Sequence, residues 1–141
     1  MKFNTKTRYA LRTMLELALN EENDEGVFQK DIAENQVVSV KYLDHIIASL
    51  KAADLVENVG GKKSGYKLTR LAEEISVYDI YRAFEDELAI IDCLLHGGKC
   101  PTKHLCVMKD YWTGLNQSIR SNMESMNMKE LANRHISVND K

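Results

Sequence analysis

The chain has 141 residues, 44% of them hydrophobic, and a formal net charge of -2. This supplies one compact domain, or a small domain with an oligomerisation element; the apolar runs are too short to cross a bilayer, and one proline with seven glycines excludes a low-complexity chain. The near-neutral total conceals a basic front half, because Lys2, Lys6, Arg8 and Arg12 precede any acid, six basic residues face three acids from Lys41 to Arg70, and seven acids then face one arginine from Glu73 to Asp92.

Thr5 or Thr7 is expected to cap a first helix in which Leu11, Met14, Leu15 and Ala18 recur at helical spacing, and the polar run "NEENDEG" ends it. "VFQKDIAENQ" reads as a short helix carrying Ile32 and Ala33, with Ser39 capping the next one. In that next helix Leu43, Ile46, Ile47 and Leu50 fall at i, i+3, i+4 and i+7, while Lys41, Tyr42, Asp44, His45 and Ser49 occupy other faces. The glycine-bounded "GGKKSG" between two strand-like segments predicts a β-hairpin from Val56 to Leu68 with a lysine-rich tip. This order is that of a winged helix-turn-helix, whose second helix enters the major groove while a flanking hairpin meets the backbone or minor groove. The competing reading is a small helical domain whose hairpin only closes the core.

"SVYDIYRAFED" predicts a helix capped by Ser76, with Val77, Ile80, Tyr81 and Phe84 as its apolar side. After Cys106, Met108, Trp112, Leu115, Ile119, Met123 and Met126 recur at steps of three and four and predict a long helix. Such a stripe is expected to pack against its twin in a homodimer, the alternative being that it folds back on its own domain. "MNMKELANRH" reads as a short terminal helix. The expected fold is mainly α: a winged helix-turn-helix DNA-binding domain over 1–75, a connecting helix and cysteine loop over 76–106, and a dimerisation helix with a short helix over 107–141.

All three cysteines, Cys93, Cys100 and Cys106, lie within "CLLHGGKCPTKHLC". The odd number and the lack of a secretory signal predict a reducing, cytoplasmic setting. Thiolates suit zinc, copper(I) or iron–sulfur clusters, and the spacing Cys-x6-Cys-x5-Cys lacks the close pair typical of structural zinc, so it favours a larger object. Gly97 and Gly98 let the backbone bend near it. Three cysteines are one ligand short of an ordinary ferredoxin-type cluster. His96, His104, Asp92 and Asp110 are the nearby candidates, each of which is otherwise a solvated surface residue. A thiol switch set among Lys99, Lys103 and Lys109 is the alternative, as is a zinc-stapled protein-interaction module. No Ser-His-Asp set, phosphate-cradling loop or paired catalytic carboxylates can be assembled, so no enzyme is expected.

Taken together, "TKTRYALRTMLELAL", "VSVKYLDHIIASLKAADLVENVGGKKSGYKL", "SVYDIYRAFE" and the three cysteines followed by Trp112 resemble the Rrf-two family of winged-helix transcription regulators over nearly the whole chain. The resemblance implies a homodimer on palindromic or AT-rich promoter DNA, with a 2Fe–2S or 4Fe–4S cluster held by Cys93, Cys100 and Cys106. It also implies DNA contacts from Lys41, Tyr42 and Asp44, where Lys41 touches phosphate and Asp44 accepts from a cytosine amino group. Lys62 and Lys63 carry the wing charge where the family has an arginine at the position of Gly60, and Arg8 joins the basic residues directed at DNA. IscR-type members place a histidine where this chain has Lys109, and NsrR-type members an acid where it has Arg8. The fourth ligand therefore falls to Asp110, His104 or a small molecule, or the cluster is weakly bound or absent, as in CymR-type members.

Overall fold

Asn4, and neither Thr5 nor Thr7, caps the first helix: in the computed structural model, which describes residues 3–61, 64–95 and 107–140, the Asn4 side chain accepts from the Thr7 amide at 2.7 Å. Thr7 is instead buried, its hydroxyl donating toward Glu85 at 3.5 Å, so a distant contact removes it from the capping role. The helix α1 runs Thr5–Leu19, α2 Gln29–Gln36 and α3 Val40–Ala52. A hairpin of β1 Val56–Asn58 and β2 Tyr66–Leu68 follows, antiparallel, with Val56 opposite Leu68 and Asn58 opposite Tyr66. Then come α4 Val77–Phe84, α5 Val107–Ser125 and α6 Met128–Asn139. The protein is a mainly helical winged helix-turn-helix with long C-terminal helices.

The apolar spacing of α3 does what its periodicity predicts. Leu43, Ile46 and Leu50 are fully buried and Ile47 nearly so, and they meet Ala10, Met14 and Leu17 of α1 and Ile32 of α2 in one core. Burying each such side chain stabilises the fold by about 1.5–3 kcal/mol. The terminal helix α6 adds Met128 and Ala132 to this same core and packs on α1. A second, smaller cluster joins Tyr81 of α4, Leu88 and Met123 of α5, with Phe3, Tyr78 and Ile119 at its edge. Burial, with Glu85 as the next cause, pushes the Tyr81 phenol up from its ordinary pKa.

The capping residues expected for α3 and α4 hold: Ser39 accepts from the Tyr42 amide at 3.1 Å, and Ser76 forms a reciprocal capping box with Asp79. Two further details differ from expectation. Val27 does not begin a helix; its backbone pairs with Tyr66 in an isolated bridge, at 2.9 Å and 2.8 Å, so the chain before α2 lies beside the hairpin. Met126 lies beyond α5, because its carbonyl accepts from the Val77 amide at 2.8 Å and a bridge between Ser76 and Asn127 turns the chain. The α5 stripe therefore ends at Met123.

Candidate nucleic-acid interface and cysteine site

The turn between α2 and α3 sets the aim of α3. It passes through Val37 in the left-handed region (φ 53°, ψ 53°), and Val38 then drops into the core. A polar network around the buried Glu16–Gln36 pair fixes the other side of this turn: Glu16 of α1 accepts from Gln36 at 2.7 Å and from the exposed Asn35 at 3.2 Å, while Arg12 donates to the Gln36 side chain at 3.3 Å and to its carbonyl. None of these pairings stands out in the sequence, because the partners are 19 to 24 residues apart and no periodicity links them; a polar Glu16 inside an apolar stripe is the one signal that marks them.

On α3, Lys41, Asp44 and His45 are exposed on the side away from the core. Tyr42 is half-buried, its ring edge-on to Tyr9 at 5.6 Å, and the Arg12 guanidinium lies over the Tyr9 ring at 5.3 Å. Tyr42 therefore helps seat α3 on α1. Arg8 is exposed one turn before Arg12 on α1 and donates to Thr5 at 3.3 Å. Asp44 is tied across to α2: Gln29 donates to its Oδ1 at 2.7 Å and to the Val40 carbonyl at 2.9 Å. Nothing local in the sequence distinguishes Gln29 from a solvated helix residue.

The hairpin stands beside α3. Lys51 of α3 lies over the Tyr66 ring at 5.1 Å and donates to Asn58. Gly65 is there because backbone passes directly over it: a Cβ would sit 2.3 Å from the Glu25 carbonyl oxygen. Near the tip, Ser64 accepts from the Gly60 amide at 2.9 Å and donates to the Gly61 carbonyl at 2.6 Å. Lys62 and Lys63 lie outside the described residues.

The segment that leads to the cysteines is held by α5. Asn116 accepts from the Ile90 amide at 2.9 Å and donates to the Leu88 carbonyl at 3.0 Å, and Leu88 itself is buried against Met123. Cys93 follows in a short 3-10 turn, Asp92–Leu94, half-buried and free of any disulfide among the described residues. Cys100, Cys106, His96 and His104 lie outside the described residues. Asp110 is exposed in the first turn of α5. Among the described residues no three His, Cys, Asp or Glu side chains form a metal-binding group, so a ligand set would need Cys93 together with residues beyond them. On α5, Val107, Met108, Tyr111 and Leu115 are exposed, whereas Ile119 and Met123 pack inward.

This arrangement has relatives. A protein-family model described as Rrf2, iron-dependent transcriptional regulator, matches residues 3–134. The protein rrf2 of Nitratidesulfovibrio vulgaris is 30% identical over 131 residues, covering 93% of this chain and 87% of that one. Among solved structures, IscR of T. potens is 31% identical with a TM-score of 0.74, covering 95% of this chain and 88% of that one. CymR, the global cysteine regulator of B. subtilis, is 26% identical with a TM-score of 0.78, covering 95% and 98%. These relatives are regulators of transcription and not enzymes. With a family match spanning the helix-turn-helix, the hairpin and α5, and a fold that superposes on IscR and CymR, the chain belongs to the Rrf2 family of transcriptional regulators.

Proposed function

We propose that the chain is a cytoplasmic homodimer that reads promoter DNA through α3 and its hairpin, with DNA affinity governed by an iron–sulfur cluster at the cysteine site. The observation that carries this is the double role of α5: the helix whose first half exposes Met108, Tyr111 and Leu115 also grips the approach to Cys93 through Asn116. An exposed apolar stripe on a helix fits a two-fold interface. Tension or slack at the cysteine site then reaches the element that spaces the two α3 helices. Tight binding requires both helices in grooves one DNA turn apart, about 34 Å.

On α3, Lys41 meets phosphate and Asp44 meets a base edge, with Tyr42 as the pivot against α1. Lys62, Lys63 and Arg8 add sequence-independent attraction to the backbone. Cys93, Cys100 and Cys106 would hold the cluster, since three thiols are soft ligands suited to iron–sulfur chemistry, and Asp110 or His104 would complete the set. Bound there, a cluster supplies a redox-active iron group. The chain's own part is to anchor the site on α5 and to transmit its state to α3.

Oxygen-free purification after growth with iron tests the cluster: a brown protein with matched iron and sulfide is expected, lost in Cys93→Ser, and a colourless wild type sinks this part. Binding of promoter fragments by Lys62→Ala, Lys63→Ala protein should weaken, with the salt slope reduced by about one unit for each phosphate contact removed. An unchanged slope counts against the wing.

A second reading is supported by the likeness to CymR, named as a cysteine regulator, and by Cys93, half-buried and free of any disulfide among the described residues. Here the thiols themselves are the switch or bind zinc. This reading predicts colourless protein whose DNA binding changes with thiol oxidant or zinc.

A further inference from the structure

We infer that Gln29 is a positioning residue for base recognition: it holds the Asp44 carboxylate so that the two side chains together present only hydrogen-bond acceptors to the major groove. The inference rests on the reading of α3 as the helix that enters that groove.

Gln29 is the first residue of α2 and Asp44 stands in the second turn of α3. The Gln29 Nε2 group has two hydrogens, and both have partners, the Val40 carbonyl at 2.9 Å and Asp44 Oδ1 at 2.7 Å. An ionised carboxylate only accepts, and the remaining amide atom, Gln29 Oε1, also only accepts. Every polar atom the pair has left is therefore an acceptor. A glutamine with free hydrogens reads adenine by donating to N7 while accepting from N6. Gln29 cannot do this while its hydrogens are engaged.

Two bases offer donors in the major groove, cytosine at N4 and adenine at N6, whereas guanine O6 and N7 and thymine O4 are acceptors that the pair would repel. Adenine sets its N7 acceptor beside N6, so cytosine is the better match. The pair lines a groove of about 550 Å³ between the first turns of α2 and α3 and the hairpin, with Phe28, Lys30, Val40, Ser64 and Tyr66 around it. That is the end of a recognition helix whose side chains meet base edges in helix-turn-helix complexes. Without Gln29 the Asp44 side chain would sample other rotamers, and the carboxylate would lose its fixed aim.

The test is selection of binding sites from a pool of randomised duplexes by the full chain, comparing wild type, Gln29→Leu and Asp44→Asn. Wild type is expected to enrich cytosine at one symmetric position in each half-site. Gln29→Leu should lower that preference about fivefold, the lower end of what a good base contact discriminates, while other positions and the salt slope stay the same. Asp44→Asn can still accept from Gln29 through Oδ1 while turning Nδ2 outward, so the preference at that position should move to guanine or thymine. A Gln29→Leu protein that selects the wild-type sequence unchanged, or a wild-type site without a cytosine preference, overturns the inference and leaves DNA reading by α3 standing. Wild-type protein that enriches no sequence overturns that reading and the inference with it.

Discussion

Asn116 and Ile90 are joined by a 2.9 Å hydrogen bond from the Ile90 amide to Asn116 Oδ1, and the same side chain returns Nδ2 to the Leu88 carbonyl at 3.0 Å. One amide thus straps the approach to Cys93 onto α5, using both a donor and an acceptor of the backbone. With Leu88 buried beside Met123, the strap has an apolar anchor immediately before it.

Replacing Asn116 with Ala leaves the Ile90 amide and the Leu88 carbonyl without this partner. At about 0.5–1.5 kcal/mol per hydrogen bond, the loss of stability should be about 1–3 kcal/mol in urea titration. The dependence of DNA affinity on the state of the cysteines should flatten, while iron or thiol content stays as in wild type. A response indistinguishable from wild type would show that the strap carries no coupling.

Leu50 is fully buried, at the end of the buried row of α3. Leu50→Ala should cost about 2–5 kcal/mol, a transfer loss plus the cavity left behind. Thermal melting of the two proteins gives the comparison; a loss below about 1 kcal/mol would mean that α3 does not seat in the core as described.

Val37 carries a β-branched side chain at φ 53° and is 81% exposed, so it holds a strained backbone without packing in return. A residue in this region typically costs about 1–3 kcal/mol, and glycine adopts it freely. After subtracting glycine's greater freedom in the unfolded chain, Val37→Gly should raise stability by about 1 kcal/mol. Chemical denaturation reads this directly, and a stability at or below wild type would remove the strain.

Gly65 admits no side chain, since a Cβ would meet the Glu25 carbonyl at 2.3 Å. Gly65→Ala should push the hairpin off the chain before α2 and cost about 1–3 kcal/mol, as overpacking does. The backbone bonds between Val27 and Tyr66, 2.9 Å and 2.8 Å, should open, which hydrogen exchange at these two amides detects. Protection equal to wild type would contradict the close approach.

What the sequence determined on its own is the set of local choices. Leu43, Ile46, Ile47 and Leu50 repeat at the helical period and are buried together, and Ser39 and Ser76 cap the helices that follow them because each side chain needs only to reach an amide three residues on. The hairpin is legible in "GGKKSGY" for the same reason, as its turn chemistry lies within a few residues. Tertiary structure decided whatever joins distant positions. Asn4 rather than Thr7 became the first cap because Thr7 faces Glu85, 78 residues away, and α5 stopped before Met126 because Val77 takes that carbonyl. Gln29 met Asp44 because α2 packs on α3, and Asn116 met Ile90 because the segment after α4 lies against α5, across 15 and 26 residues of sequence. Periodicity and capping are properties of neighbouring residues, whereas these pairings depend on the relative placement of elements that the buried core alone sets.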